Sequence, residues 1–173
     1  MRLAVEMAEK GRYISKPNPF VGAVIVKNDR IIGKGFTQRR GEDHAEIVAL
    51  KEAGDQAKGA DLYVTLEPCS HYGLTPPCSE AIIKAGISRV FAGIADPNPE
   101  VNGKGFQLLK AHGIEVFYPY LEEEIKQQLE VFLHWKTKNK TFVIMKNAVS
   151  LDGKIATESG ASKWISNQES RAH

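Results

Sequence analysis

Cysteine is scarce in this chain: two in 173 residues, Cys69 and Cys78. So few thiols argue against a disulfide-stapled scaffold and leave metal binding or reactivity as the roles to weigh. Long apolar runs are missing as well, and none approaches the roughly 18 residues of a membrane-spanning helix. The opening stretch, Met1 to Lys10, carries acids among its apolar residues and does not read as a secretory signal, so the cytoplasm is the expected compartment. The formal charge is only +2, too small to argue for nucleic acid or a membrane surface as partner. Aromatics make up 8%, a thin supply for stacking exposed bases. No internal repeat and no low-complexity segment is present. What remains, at 42% hydrophobic and 25% charged, is ordinary globular material, long enough for one domain with a real core and the start of another.

The pattern of apolar residues and breakers predicts the elements. Residues 2–10 read as a short amphipathic helix ended by Gly11, and Lys16-Pro-Asn-Pro19 as a rigid loop. Val21 to Val26 is a buried-type strand, joined through Asn28-Asp29 to a second strand, Arg30 to Phe36. A helix is expected from about Asp43 to Ala53, with His44 in its first turn. Asp61 to Leu66 is a strand delivering Glu67-Pro68-Cys69 into a loop. Pro77 opens a helix through Ala85, closed by Gly86. Ser88 to Ala95 and Ile114 to Tyr118 are strands, with a helix over Phe106 to Ala111 between them. Leu121 to about Lys136 is a longer helix, with an apolar patch able to pack against a following domain. Strands alternating with helices after an initial hairpin give an α/β fold with a mixed central sheet.

A Lys-rich connector near residues 136–140 marks a break. Thr141 to Val149 reads as a fresh strand, Leu151-Asp-Gly-Lys154 as a hairpin turn, and Ser166-Asn-Gln-Glu169 as a helix capping box. Residues 1–138 are therefore expected to form one domain. Residues 139–173 are expected to be the incomplete start of a second, too short to build a core alone.

The chemistry is concentrated in a split constellation: His44-Ala-Glu46, then Pro68-Cys69 and Cys78. One imidazole and two thiolates are ligands that Zn²⁺ prefers, and three protein ligands leave a fourth position open for water. The order of residues is the zinc-deaminase signature, in which the glutamate is an acid/base and not a ligand. The spacer differs: that signature has two residues between the cysteines, and here there are eight. The added loop-closure cost is only on the order of 1 kcal/mol. Gly73 and Pro76-Pro77 supply a turn and a stiff return. His71 lies between the cysteines, either a rival ligand or a pocket-lining residue. Asp96-Pro-Asn-Pro99 reads by itself as a turn. The residues alone leave open a deaminase of another base or nucleoside, or an inactive zinc-stabilised module.

Together these motifs resemble the bifunctional riboflavin-biosynthesis deaminase/reductase family. The carrying stretches are Asn18-Pro-Phe-Val-Gly-Ala-Val24, His44-Ala-Glu46, Thr65-Leu-Glu-Pro-Cys-Ser-His71, Thr75-Pro-Pro-Cys78 and Asp96-Pro-Asn-Pro99. Lys146 to Ala156 and Ser162-Lys-Trp-Ile165 are similar to the opening of the family's reductase domain. The resemblance implies a three-layer α/β/α cytidine-deaminase-like fold. It also implies hydrolytic removal of the pyrimidine 2-amino group from 2,5-diamino-6-ribosylamino-4(3H)-pyrimidinone 5′-phosphate. His44, Cys69 and Cys78 would hold zinc, and Glu46 would move protons. Asn18, His71, Asp96 and Asn98 would line the substrate pocket. NADPH would serve only the reductase of full-length members, whose nucleotide site is missing here, and the family forms homo-oligomers. Two positions depart from the family pattern: Leu74 stands where a Lys or Arg is expected, and Thr37 where His is common. Both are expected near the substrate phosphate, where Arg39, Arg40 or Lys104 are candidate replacements.

Overall fold

A computed structural model of the chain describes residues 1–98, 101–138 and 140–172. The chain divides into two compact units, Met1–Lys140 and Thr141–His173. In the first, α1 (Arg2–Glu9) precedes the hairpin β1 (Gly22–Lys27) and β2 (Arg30–Phe36). Asn28 and Asp29 both take positive φ, which matches the right-handed twist of two strands joined by a two-residue turn. Helix α2 (Ala45–Ala53) and a 3₁₀ turn lead to β3 (Asp61–Leu66). Then follow α3 (Cys78–Ala85), β4 (Arg89–Ile94), α4 (Lys104–Ala111), β5 (Glu115–Phe117), α5 (Glu122–Gln128) and α6 (Glu130–Lys138).

The five strands lie in the order β2-β1-β3-β4-β5. β1 pairs antiparallel with both β2 and β3, whereas β3, β4 and β5 run parallel. The expected mixed sheet is therefore what forms. Its two faces follow from the period-2 alternation of side chains. Ala23, Val64 and Ala92 share one row, and Ile25, Leu62 and Val90 another, all buried beneath α2, α3 and α4. Gly22 and Gly93 point to the opposite face, toward Ala4 of α1 and Ile125 of α5. Helices on both faces make the three layers.

One contact sets how closely α2 lies on the sheet. Ala45, Ala49 and Ala53 recur every four residues along α2 and are fully or nearly fully buried. They rest on Gly35 and its neighbour Gly33 in β2. A Cβ at Gly35 would lie 2.1 Å from the Ala45 carbonyl oxygen and 2.7 Å from the Ala49 nitrogen. Small residues on both partners thus let backbone approach backbone.

Several boundaries differ from those expected. Helix α2 starts at Ala45, because His44 is extended (φ −74°, ψ 164°) and serves as its N-cap. Helix α4 begins two residues before Phe106, at Lys104. The long helix is interrupted at buried Leu129, although the Leu129 and Leu133 amides still bond four residues back.

The second unit corrects two expectations. Thr141 to Val149 forms no strand; its backbone is irregular, and Val143, Ile144 and Met145 are exposed. A strand needs a neighbour to receive its hydrogen bonds, and none of the described residues offers one. The turn at Leu151–Gly153 does form, with the Ser150 amide donating to the Lys154 carbonyl. The final helix, α7 (Gln168–Ala172), is capped by Asn167 rather than Ser166: the Asn167 Oδ1 accepts from the Ser170 amide at 2.8 Å. Asn139, beside the expected boundary, and Pro99 lie outside the described residues.

Substitution Gly35→Ala should destabilise the first unit by about 1–3 kcal/mol, since backbone must move to admit the methyl group. Urea denaturation followed by circular dichroism measures this; an unchanged midpoint would show that α2 is not fixed by this contact.

Candidate active site

The parallel strands β3 and β4 end on the same edge of the sheet, the edge where open α/β sheets present their ligand sites. β3 runs out into Glu67-Pro68-Cys69, and β4 into the loop carrying Asp96 and Asn98. Helix α3 starts at Cys78, with Pro77 as N-cap. The Cys78 amide donates to the Cys69 sulfur at 3.3 Å, and the Ser79 amide to the Cys69 carbonyl at 3.1 Å. The eight-residue spacer is thereby folded back, and both sulfurs sit at the positive end of α3.

His44 arrives from the other side. It makes no side-chain cap for α2, so its ring is free to face the sulfurs. Nδ1 lies 3.3 Å from the Cys78 Sγ and 3.6 Å from the Cys69 Sγ. Zinc bonds of about 2.3 Å to sulfur and 2.05 Å to nitrogen, at tetrahedral angles, put such ligand atoms about 3.6 Å apart. All three donor atoms fall within 4.8 Å of one another, and among the described residues they form the one such group. The donor set therefore fits zinc. His71 is exposed on the wall of the cleft and is not part of this group, which leaves it the pocket-lining reading.

The electrostatics of the trio are those of shared protons. The Cys69 thiol is drawn down to about 4, first by its side-chain hydrogen bond with the Cys78 thiol, with His44 adding to the effect. The Cys78 thiol is pushed well up, first by that thiol–thiol bond and then by burial. The His44 imidazole is held up at about 9, first by its bond to Cys69. Zinc takes thiolates and a neutral imidazole, so binding it displaces these protons.

Glu46 stands in the first turn of α2, only 4% exposed. Burial pushes its carboxyl up to about 7, partly opposed by His44. A carboxyl poised there can take and return a proton.

His44, Glu46 and Cys69 line a cleft of about 350 Å³, the size of a small-molecule site. Asn18, Asp96 and Asn98 are on its wall. Asp96 is 9% exposed; burial raises its carboxyl, and its Oδ1 accepts from the Asn98 amide at 2.8 Å. Thr37 also borders the cleft, but its hydroxyl is engaged by the Val21 amide at 3.0 Å. Leu74 is 71% exposed at the rim. Of the three candidate replacement cations only Arg40 lines the cleft; Arg39 and Lys104 do not.

Three lining residues, Phe132, Trp135 and Lys136, come from α6, a helix read from sequence only as a packing surface. No local pattern marks them, because their role exists only once the chain returns to the site. Glu67 was likewise read only as the residue before Pro68-Cys69. It is buried, and its carboxylate accepts from the amides of Asp96, Gly103, Gly105 and Phe106.

Residues 1–94 match the family described as the cytidine and deoxycytidylate deaminase zinc-binding region. The chain belongs to that deaminase family. Residues 141–173 match the RibD C-terminal domain. Over 171 residues the chain is 52% identical to the riboflavin biosynthesis protein RibD of Bacillus amyloliquefaciens, covering 99% of this chain and 46% of that protein. Acinetobacter baumannii RibD superposes with a TM-score of 0.91 at 49% identity, over 98% of this chain and 48% of the other. A Thermotoga maritima diaminohydroxyphosphoribosylaminopyrimidine deaminase/5-amino-6-(5-phosphoribosylamino)uracil reductase gives 0.89 at 46% identity, over 97% and 49%. The chain thus spans about half the length of these RibD relatives, and its deaminase region has the expected cytidine-deaminase-like fold. Among the described residues, no helix is long and apolar enough to cross a membrane.

Purified protein should contain about one zinc per chain by elemental analysis. His44→Ala, Cys69→Ser and Cys78→Ser should each leave almost none, whereas His71→Ala should keep it. Zinc loss in the His71 variant would return that residue to the ligand set.

Proposed function

We propose that residues 1–138 catalyse the zinc-dependent hydrolytic deamination of 2,5-diamino-6-ribosylamino-4(3H)-pyrimidinone 5′-phosphate. The products are 5-amino-6-(ribosylamino)uracil 5′-phosphate and ammonia, a step of riboflavin biosynthesis. The observation that carries this reading is the placement of buried Glu46 beside the His44–Cys69–Cys78 trio, in a cleft that also presents Asn18, Asp96 and Asn98. The name of the Thermotoga relative supports the substrate.

In this reading His44, Cys69 and Cys78 hold the metal. Zinc supplies, when bound, a Lewis acid that makes water a nucleophile near neutral pH. Glu46 takes one proton of the attacking water on its carboxylate and delivers it to a ring nitrogen; it then takes the second proton, from the hydroxyl now on the ring carbon, and gives it to the amine, which leaves as ammonia as the C=O forms. The burial of Glu46 keeps bulk water from competing for these protons. The amides of Asn18 and Asn98 and the carboxylate of Asp96 offer donors and acceptors for the edges of the ring and ribose. Arg40 and Lys136, both on the cleft wall, supply positive charge for the phosphate where Leu74 supplies none. The same reading places the protein in the cytoplasm as a homo-oligomer. It takes residues 139–173 as the opening of a reductase domain and assigns NADPH to the reductase of full-length relatives.

Zinc-loaded protein should release ammonia from the diaminopyrimidine ribosyl phosphate. Glu46→Gln should retain zinc and lower kcat by about 10²–10⁴-fold. Undiminished turnover in that variant would remove Glu46 from the proton path. For the phosphate, Lys136→Ala and Arg40→Ala should each raise KM about tenfold or more, as loss of a charge-assisted bond does. Leu74→Lys should lower it. Equal effects on the dephosphorylated riboside would show that these side chains do not read the phosphate.

A further inference from the structure

Glu67 is a carboxylate with no part in holding metal, yet it is only 3% exposed. A buried carboxylate without partners is costly, so the place where its oxygens are satisfied indicates its use. Four backbone amides donate to this carboxylate. Oε2 accepts from Asp96 at 3.1 Å and from Gly103 at 2.9 Å. Oε1 accepts from Gly105 at 2.9 Å and from Phe106 at 3.4 Å. Gly103 is the N-cap of α4, and Gly105 and Phe106 lie in its first turn. Amides at these positions have no acceptor within their own helix, and a negative charge there is favoured by the helix dipole.

One side chain therefore ties together the two ends of the segment between β4 and α4. That segment carries Asp96 and Asn98, and Asp96 in turn orders the Asn98 amide. Two residues further on from Glu67 is Cys69. Between them, the Pro68 carbonyl lies so close to Gly105 that a Cβ there would be 2.0 Å from the oxygen. We infer that Glu67 is the positioning residue that fixes the Asp96–Asn98 loop relative to the metal ligand Cys69, and so sets how the substrate ring is held against the reacting centre. This rests on Asp96 and Asn98 being substrate contacts.

Amide hydrogen exchange and kinetics on the full, zinc-loaded chain test it together. In the unaltered protein the Gly103, Gly105 and Phe106 amides should be protected despite their position; exchange at open-chain rates would overturn the inference. In Glu67→Gln one acceptor oxygen becomes an NH₂ group facing amide donors. Exchange at these sites should then quicken, and KM for the diaminopyrimidine ribosyl phosphate should rise about tenfold. kcat should stay within about threefold, and zinc at one per chain. Lost zinc, a fall in kcat at constant KM, or no change in exchange and KM would each overturn the positioning role. If the variant does not fold, protection in the unaltered chain decides. If the unaltered protein turns over no such substrate, the functional reading falls, while the exchange data still uphold or overturn the clamp.

Discussion

The bond from the Cys78 amide to the Cys69 sulfur is the interaction on which the site depends. It closes an irregular loop that contains Gly73 and two consecutive prolines, and it does so with a backbone donor already free at the start of a helix. Without it the two sulfurs belong to unrelated elements, one at the exit of a strand and one at the start of a helix. With it they form a pair, and His44 needs only to approach from α2. The approach is set by the alanine stripe of α2 lying against the glycines of β2. The three donors of the trio are thus held by loop closure, helix capping and helix-on-sheet packing, none of which relies on the metal's own chemistry.

Much of this was legible in the sequence because the informative residues act locally. His44-Ala-Glu46 and Pro68-Cys69 are short motifs with fixed chemistry, and Asn28-Asp29, Pro77 and Gly86 punctuate the elements where the structure places them. The residues that escaped notice act across long sequence separations. Glu67 bonds amides 29 to 39 positions further along the chain, and nothing in a local window distinguishes it from a carboxylate facing solvent. Trp135 and Lys136 reach the cleft only because α5 and α6 fold back beside it. His44 shows a subtler limit. The sequence pattern places it inside the first turn, but it is the N-cap, with the extended backbone usual for that position, and its ring faces the two sulfurs instead of capping the helix.

Thr141 to Val149 shows the opposite failure, since its pattern is right for a strand but its surroundings do not supply one. A β-strand is half of an interaction, and its apolar residues and amides are settled only by a neighbouring strand and a covering layer. In residues 141–172 the side chains of Ile144, Met145, Leu151 and Ile155 remain open to solvent. The second unit is about as apolar as the chain as a whole, and so short a segment leaves most of its large apolar side chains exposed.

The direct seating of α2 on β2 has an evolutionary side. His44 and Glu46 sit on a tightly packed joint of the molecule, where even a methyl group is an intrusion. Leu74 and Arg40, by contrast, occupy exposed rim positions. Substitution at the rim meets little steric resistance. Such an architecture can exchange one anionic or sugar-bearing substrate for another by surface drift while its hydrolytic centre stays fixed. Leu74, at a position where the family resemblance leads one to expect Lys or Arg, is then the kind of change the scaffold absorbs at little cost to its core.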